Sequence, residues 1–170
     1  RVWRYRDVTK LRKSENLLKD SEEKHRVMFT QTVDAYCIME DGIFIDVNQA
    51  AQDMLESPPG WLKGKSPIDI SPKYQPDGRL SSQIAKEYIE TAFRKGRHSF
   101  YWIHLRYDGS EFPAEITLIK IRLKAKDLIL AIWRDVTEEQ AMAEKLRISE
   151  QNFRMFFETL QDMVFITDLS

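Results

Sequence analysis

A repeat at an offset of 128 residues is the feature that most constrains how this chain can fold. Residues 6–9, Arg-Asp-Val-Thr, recur as residues 134–137. The matches run from helix-like into strand-like segments, so we interpret the chain as one complete module between parts of two similar modules. Chance similarity between two charged helices is the alternative. The further matches at this offset include Leu18 with Leu146, Arg26 with Arg154, Phe29 with Phe157, Asp34 with Asp162 and Ile38 with Ile166.

The repeat divides the chain into five predicted segments. The chain starts at Arg1 rather than Met, and we expect it to be a piece of a longer protein. The predicted segments are the end of a preceding module at residues 1–9, a connecting helix at 10–28, a complete module at 29–137, a second connecting helix at 138–157 and the start of a following module at 158–170.

The second connecting helix carries an apolar seam. Its positions follow a 4-3-4-3-4 spacing, which is typical of a helix that packs along a parallel partner helix. We therefore expect a homodimer formed through the flanking helices, and packing of the helix on its own domain is the alternative. The seam consists of Met142, Leu146, Ser149, Phe153, Phe156 and Leu160.

Charge and cysteine content exclude several classes of protein. The 26 Lys and Arg residues are balanced by 27 Asp and Glu residues, which argues against a nucleic-acid partner. The single cysteine excludes a disulfide framework and a zinc site built from several cysteines. No apolar run approaches the roughly 20 residues of a membrane-spanning helix, so we expect no membrane contact by the segment. The free cysteine and the lack of a targeting signal favour a cytoplasmic segment, in a parent that can itself be membrane-anchored.

The middle module shows a mixed pattern of strands and helices. The sequence predicts strands at residues 35–40 and 43–47, joined by an Asp-Gly turn, and three further strands at 100–107, 111–123 and 128–134. Helices are predicted at 48–56 and 81–95, with charged residues 124–127 forming the last turn. Consecutive hairpins imply an α+β fold, with an antiparallel sheet and helices on one face.

The order of these elements resembles the PAS domain family. The resemblance is carried by Asp-Val-Asn-Gln-Ala-Ala at 46–51, Tyr-Asp-Gly-Ser-Glu-Phe-Pro at 107–113 and the closing Asp-Val-Thr at 135–137. It covers about 110 residues, and the flanking helices resemble those that join PAS domains in series. It implies a five-stranded antiparallel sheet of order 2-1-5-4-3 and a pocket between sheet and helices. It also implies that the chain comes from a larger signalling protein. A histidine kinase is favoured, and the alternatives are a chemoreceptor and a cyclic-di-GMP enzyme such as a diguanylate cyclase.

Strand alternation and the family pattern together select the residues expected to face the pocket. In the fourth strand Glu115 and Thr117 mark the wet face, and the family pattern turns the odd-numbered residues of the first strand inward. Apolar walls with a few polar groups suit a small molecule. The pocket candidates are Cys37, Met39, Ile68, Tyr88, Ala92, Trp102, His104, Ala114, Ile116, Ala131 and Trp133.

Among the pocket candidates, His104 has the side chain with the most possible roles. It could contact a ligand, it could be a core histidine paired with a backbone carbonyl or the Tyr88 hydroxyl, or it could ligate a metal. Arg106, two residues on, is expected to be exposed to solvent rather than to clamp an anion. Cys37 is expected to be a small buried apolar residue.

The cofactor remains unknown from the sequence. Flavin photoreceptors of the LOV type need a reactive cysteine near the position that Pro67 occupies here, so that adduct chemistry is excluded. Haem is disfavoured because the helix at 81–95 contains no histidine, and no metal site is predicted. A small organic ligand is the remaining expectation.

Two functions are compatible with these residues. The module could sense a small molecule and pass the change to the helix that follows Thr137, or it could be a ligand-free relay and dimerisation module with a filled core. Asp135 and Thr137 are the predicted coupling residues, and the adjacent PAS and output domains of the same chain are the expected partners. No phosphate-binding glycine loop or nucleophile–base pair is present, so the segment itself is predicted not to be an enzyme.

Overall fold

The computed structural model describes residues 34–167, with side chains described as far as Phe157. The predicted segments at 1–9 and 10–28 lie outside the described residues, as do residues 29–33 and 168–170. The described elements are strands β1 (Ala35–Glu40) and β2 (Ile43–Val47), helix α1 (Gln49–Met54), a 3₁₀ helix (Pro67–Ile70), helix α2 (Ser81–Lys95), strands β3 (Arg97–Leu105), β4 (Glu111–Leu123) and β5 (Lys126–Asp135), and helix α3 (Thr137–Thr167).

The five strands form one sheet of order β2-β1-β5-β4-β3, as the sequence analysis predicted. The β1–β2, β1–β5 and β3–β4 pairs are antiparallel, and β1 meets β5 with Cys37 opposite Ala131. The tight turn between β1 and β2 places Asp41 and Gly42 at φ values of 51° and 79°. Both residues have positive φ, which is the backbone geometry that joins two-residue hairpins with the correct twist.

Strands β3 and β5 are longer than predicted at their starts. Gly96, at φ 84°, ends α2 in the left-handed region and leads the chain directly into β3. Only Lys124 and Ala125 form the turn before β5, both at positive φ, instead of the four residues 124–127. The next two residues belong to the strand, where the Lys126 ammonium pairs with Glu40 at 2.6 Å and Asp127 pairs with Lys120 at 2.8 Å.

Asn48 connects the first hairpin to α1. Its side-chain Oδ1 accepts hydrogen bonds from the Ala51 amide at 3.0 Å and from the Tyr36 amide at 2.9 Å. Its Nδ2 donates to the Asp34 carbonyl at 3.0 Å. One buried side chain therefore caps the helix and holds the start of β1 at the same time.

The core lies between the inward face of the sheet and the helices. Trp133, Phe44 and Phe112 are its largest fully buried side chains, and the Phe44 and Trp133 rings meet edge to face at 5.5 Å. Helix α2 contributes Ile84 and Ala92 from one face. Burial of each large apolar side chain favours folding by about 1.5–3 kcal/mol, so this face determines where the helices lie.

The described chain divides between Arg134 and Asp135 into two compact units, and α3 belongs to the second. This helix continues to Thr167, ten residues beyond its predicted end at 157. Its start carries Glu138 and Glu139, whose charges complement the helix dipole. Asp135 Oδ1 accepts hydrogen bonds from the amide and hydroxyl of Thr137. Within residues 34–167, the helices are all too short or too polar to cross a membrane.

Replacement of Asn48 tests its double role. We expect Asn48→Ala to lower the free energy of unfolding by about 2 kcal/mol, because a helix cap is lost and buried amides lose their acceptor. Urea denaturation followed by circular dichroism measures the change. Gln49→Ala is the matched control, since the exposed Gln49 side chain donates to the exposed Asp53 carboxylate. Equal losses in both variants would contradict the role assigned to Asn48.

Candidate binding site between the sheet and the helices

A cavity of about 30 Å³ lies inside the first unit, between the sheet and the residues that cover it. Typical pockets for small-molecule ligands measure about 300–1,000 Å³, so this cavity holds a water molecule or a few heavy atoms. The structure brings six of the predicted pocket residues to its wall. They are Met39, Trp102, His104, Ile116, Ala131 and Trp133.

The other predicted pocket residues lie elsewhere. Cys37, Ala92 and Ala114 are buried in the core but do not line the cavity. Tyr88 is half-buried and packs its ring against Phe100, with ring centroids 4.3 Å apart. These four residues belong to the core or pack against it, and none of them forms the cavity wall.

Ile68 corrects the prediction of an inward side chain. It is 38% exposed, whereas Pro67 lines the cavity and Ile70 is fully buried. The segment is a 3₁₀ helix, in which residues three apart share a face. Pro67 and Ile70 therefore point to the same side, and Ile68 points away from it. Phe93, next to the buried Ala92 on α2, is likewise 36% exposed.

Six residues that line the cavity were not among the predicted site residues. Two of them carried a usable signal, since Leu118 follows the alternation of β4 and Ile89 lies on the apolar face of α2. Phe44 was hidden by its neighbours, because Ile43 and Ile45 are equally apolar and yet face outward. The six are Phe44, Pro67, Ala85, Ile89, Phe100 and Leu118.

His104 is the one titratable side chain in the cavity wall. It is 3% exposed, and its ring lies 4.8 Å from the Trp133 ring, centroid to centroid. Its Nδ1 lies 3.1 Å from the Ile70 carbonyl, as the core-histidine alternative expected. Burial lowers the pKa of His104 to about 4, although the bond to Ile70 opposes that shift. The imidazole is therefore neutral near pH 7.

Hydrogen bonds hold the segment 66–81 against β3. The Trp102 Nε1 donates to Ser71 Oγ at 2.9 Å, and Ser71 Oγ donates in turn to the Pro67 carbonyl at 2.6 Å. The Gln75 side chain accepts from the Ile103 amide at 2.8 Å and donates to the Ile103 carbonyl at 3.2 Å. Sequence reasoning missed Ser71 and Gln75 because nothing in their local sequence indicates a partner about 30 positions away.

Arg106 is less exposed to solvent than the sequence predicted. Its side chain is 19% exposed, and its guanidinium lies 4.2 Å from the centroid of the Phe112 ring. It also donates to the Met54 carbonyl at the end of α1, and its Nε lies 3.7 Å from Glu56 Oε1. A helix end leaves carbonyls without intrahelical partners, and the arginine serves one of them.

Cys37 lies in the sheet and is buried, and burial raises the pKa of its thiol well above the usual value. This environment keeps the sulfur protonated and unreactive.

Pro67, which stands near the cysteine position of LOV photoreceptors, lies at the cavity wall. The exclusion of adduct chemistry stays a prediction. Among the residues described, no group of three His, Cys, Asp or Glu side chains is placed to hold a metal ion.

Sporulation kinase E of Bacillus subtilis (strain 168) is a curated relative of this chain. It is 28% identical over 162 residues, which make up 92% of this chain and 20% of the relative. The chain thus spans about a fifth of that protein's length.

Two solved structures share the fold. The PAS domain of an HTR-like protein from Haloarcula marismortui has a TM-score of 0.59 at 22% identity, covering 73% of this chain and 98% of its own. The PAS domain of a LuxR-family transcriptional regulator from Burkholderia thailandensis, in complex with ethanol, has a TM-score of 0.54 at 16% identity, covering 65% and 96%. A sequence model of the PAS domain matches residues 33–138. The chain therefore belongs to the PAS domain family.

Proposed function

We propose that this chain is a sensory segment of a longer sensor histidine kinase, in which a small molecule bound in the cavity alters the signal passed to α3. The match to a sporulation kinase over 92% of the chain is the observation that carries the kinase assignment. The PAS domain itself is not catalytic, so phosphoryl transfer belongs to other parts of the parent. Because the curated relative is a kinase, the cyclic-di-GMP enzyme and the chemoreceptor are not proposed.

The cavity sets the size of the ligand. Its wall is formed by aromatic and aliphatic side chains from the sheet, the 3₁₀ helix and α2. A bound molecule can shift the module between two states only by binding one of them more tightly, and couplings of this kind are about 1–3 kcal/mol. The Burkholderia thailandensis neighbour is in complex with ethanol, which makes ethanol a suitable probe of matching size.

A ligand-free relay is the second candidate function. The cavity of about 30 Å³ is roughly a tenth of the smallest typical ligand pocket, and the large side chains of Trp102 and Trp133 form part of its wall. A filled core of this kind could transmit a signal between neighbouring domains through packing alone. The two candidates differ in whether a molecule enters the cavity.

Titration with ethanol distinguishes these candidates. We expect saturable shifts of the amide resonances of Met39, Ile116 and Ala131 in the ¹⁵N-labelled chain, because all three line the cavity. The exposed Arg122 and Lys124 serve as internal controls for general solvent effects. Shifts that grow linearly at every site, without saturation, would favour the relay.

The junction between β5 and α3 is the proposed route out of the module. Asp135 ends the strand, and its carboxylate accepts two hydrogen bonds from Thr137, the first residue of the helix. These bonds fix the backbone where strand geometry changes to helix geometry. A change at the end of β5 therefore reaches the helix through a short, ordered connection.

Asp135→Ala removes the acceptor for both Thr137 bonds. In the full-length protein we expect the autophosphorylation rate to change severalfold, because the start of α3 loses its fixed geometry. We expect unfolding of the module itself to change by no more than about 1 kcal/mol, the usual cost of a lost cap. Thr137→Ser, which keeps the hydroxyl, should retain the normal rate. A normal rate in the Asp135→Ala protein would refute the coupling role.

The apolar seam on α3 supports a parallel homodimer. Met142, Leu146, Phe153 and Phe156 are all exposed, and Phe153 is 65% exposed. The Phe153 and Phe157 rings lie 4.7 Å apart, so the aromatic surface continues along the helix. Apolar side chains at heptad spacing are the surface that a second helix covers in a coiled coil.

Two charged substitutions in the seam test the proposed dimer. We expect Leu146→Glu combined with Phe153→Glu to convert the chain from dimer to monomer, because two like charges would then face their copies across the seam. Sedimentation equilibrium measures the mass. Gln151→Glu adds a charge about 150° away around the helix and should leave the dimer intact. If the chain without these substitutions is itself a monomer, the proposed dimer is wrong.

The remaining assignments are proposals of the same kind. The partners are the adjacent PAS and output domains of the same chain, without nucleic acid. A cytoplasmic location accords with the buried free thiol of Cys37. The cofactor class stays open, and a small organic molecule suits the cavity better than a haem or flavin ring because of its size.

A further inference from the structure

The wall of the cavity turns almost no polar surface toward the space that it encloses. Nearly all of the surface that the lining residues present there belongs to apolar atoms. Met39 contributes a thioether, which is soft and polarisable. Phenylalanine and tryptophan side chains supply another part of the wall, and they are Phe44, Phe100, Trp102 and Trp133.

The polar atoms of two lining side chains are turned to other partners or are out of reach. The Trp102 Nε1 donates to Ser71 Oγ, and Nδ1 of His104 lies 3.1 Å from the Ile70 carbonyl oxygen. Nε2 of His104 has no hydrogen-bond partner among the described residues and is buried too deeply for a water molecule to touch it. A molecule in the cavity therefore finds no hydrogen-bond partner in either side chain.

Such a wall makes the cavity a poor place for water. A volume of about 30 Å³ is enough for a water molecule, but a buried water molecule usually makes two to four hydrogen bonds to the protein. Cavities lined by apolar side chains stay dry for this reason and accept apolar molecules instead. A molecule that enters this cavity is therefore held by van der Waals contact with the wall.

We infer that the ligand of this cavity is a small apolar molecule of about three heavy atoms, without a hydrogen-bonding group. A hydroxyl group brought into the cavity would lose its hydrogen bonds to water and gain none in return, and an ion would lose more. The inference rests on the sensing function proposed above and adds the chemical class of the ligand.

Propane and ethanol test the inference on the unmodified chain, because both have three heavy atoms and only ethanol carries a hydroxyl group. We expect propane to bind at least about tenfold more tightly, since the buried hydroxyl group of ethanol has no partner. The methyl resonances of Met39, Ile116 and Leu118 in the ¹³C-labelled chain measure both affinities, because these side chains line the cavity. Leu55 and Leu62 are fully buried outside the wall, and their methyl resonances are the controls.

The outcomes separate this inference from the sensing function. Ethanol that binds as tightly as propane would overturn the apolar class and leave sensing intact. Failure of both probes to saturate would overturn the sensing function and this inference with it. Shifts of equal size at Leu55 and Leu62 would show that propane enters the core generally, and the cavity would then not be its site.

A substitution that fills the cavity tests the location of the bound molecule. Ala131 lines the wall from β5, so the two methyl groups added by Ala131→Val should take up space there and weaken propane binding at least about tenfold. Ala51→Val adds the same two groups to a fully buried position outside the wall and should leave the affinity unchanged. An unchanged affinity in the Ala131→Val protein would overturn the assignment to this cavity. If tighter packing unfolds either variant, the comparison of propane with ethanol on the unmodified chain decides the question independently.

Discussion

Strand β3 and the segment 66–81 bury polar groups together, and the need to pair these groups shapes this wall of the module. The carbonyls of Pro67, Ile70 and Pro72 accept hydrogen bonds from Ser71, His104 and Ser81, respectively. Gln75 bonds both the amide and the carbonyl of Ile103. A buried polar group left without a partner costs about 1–3 kcal/mol, so several such bonds determine the path of a segment that lacks regular structure.

The same wall explains why the site is small and chemically simple. Trp102 and His104 point inward from β3, and their polar atoms are drawn toward Ser71 and Ile70. Both side chains line the cavity of about 30 Å³, whose wall is otherwise formed by aliphatic and aromatic side chains. The residues that hold the segment in place are thus also residues of the cavity wall.

The part of the site that the sequence predicted correctly followed from the alternation of side chains along the strands. The alternation of strands placed Met39, Ile116 and Trp133 on the inward face, and the cavity wall contains all three. The same rules failed at Ile68, because the sequence does not distinguish a 3₁₀ turn from a short α-helical one around prolines. The exposure expected of Arg106 came from its place near the edge of the sheet, and it was wrong because its partner Met54, at the end of α1, is 52 positions away along the chain.

The sequence by itself determined the elements, the sheet order through its family resemblance, and the inward faces of the strands. These properties depend on periodicity and on turn residues such as Asp41 and Gly42, which act over a few positions. The tertiary structure alone decided the size of the cavity, the pairing of Gln75 with Ile103, and which nitrogen of His104 is free. These properties depend on atoms that are 28 to 34 positions apart, and only the packed fold brings such atoms within hydrogen-bond distance.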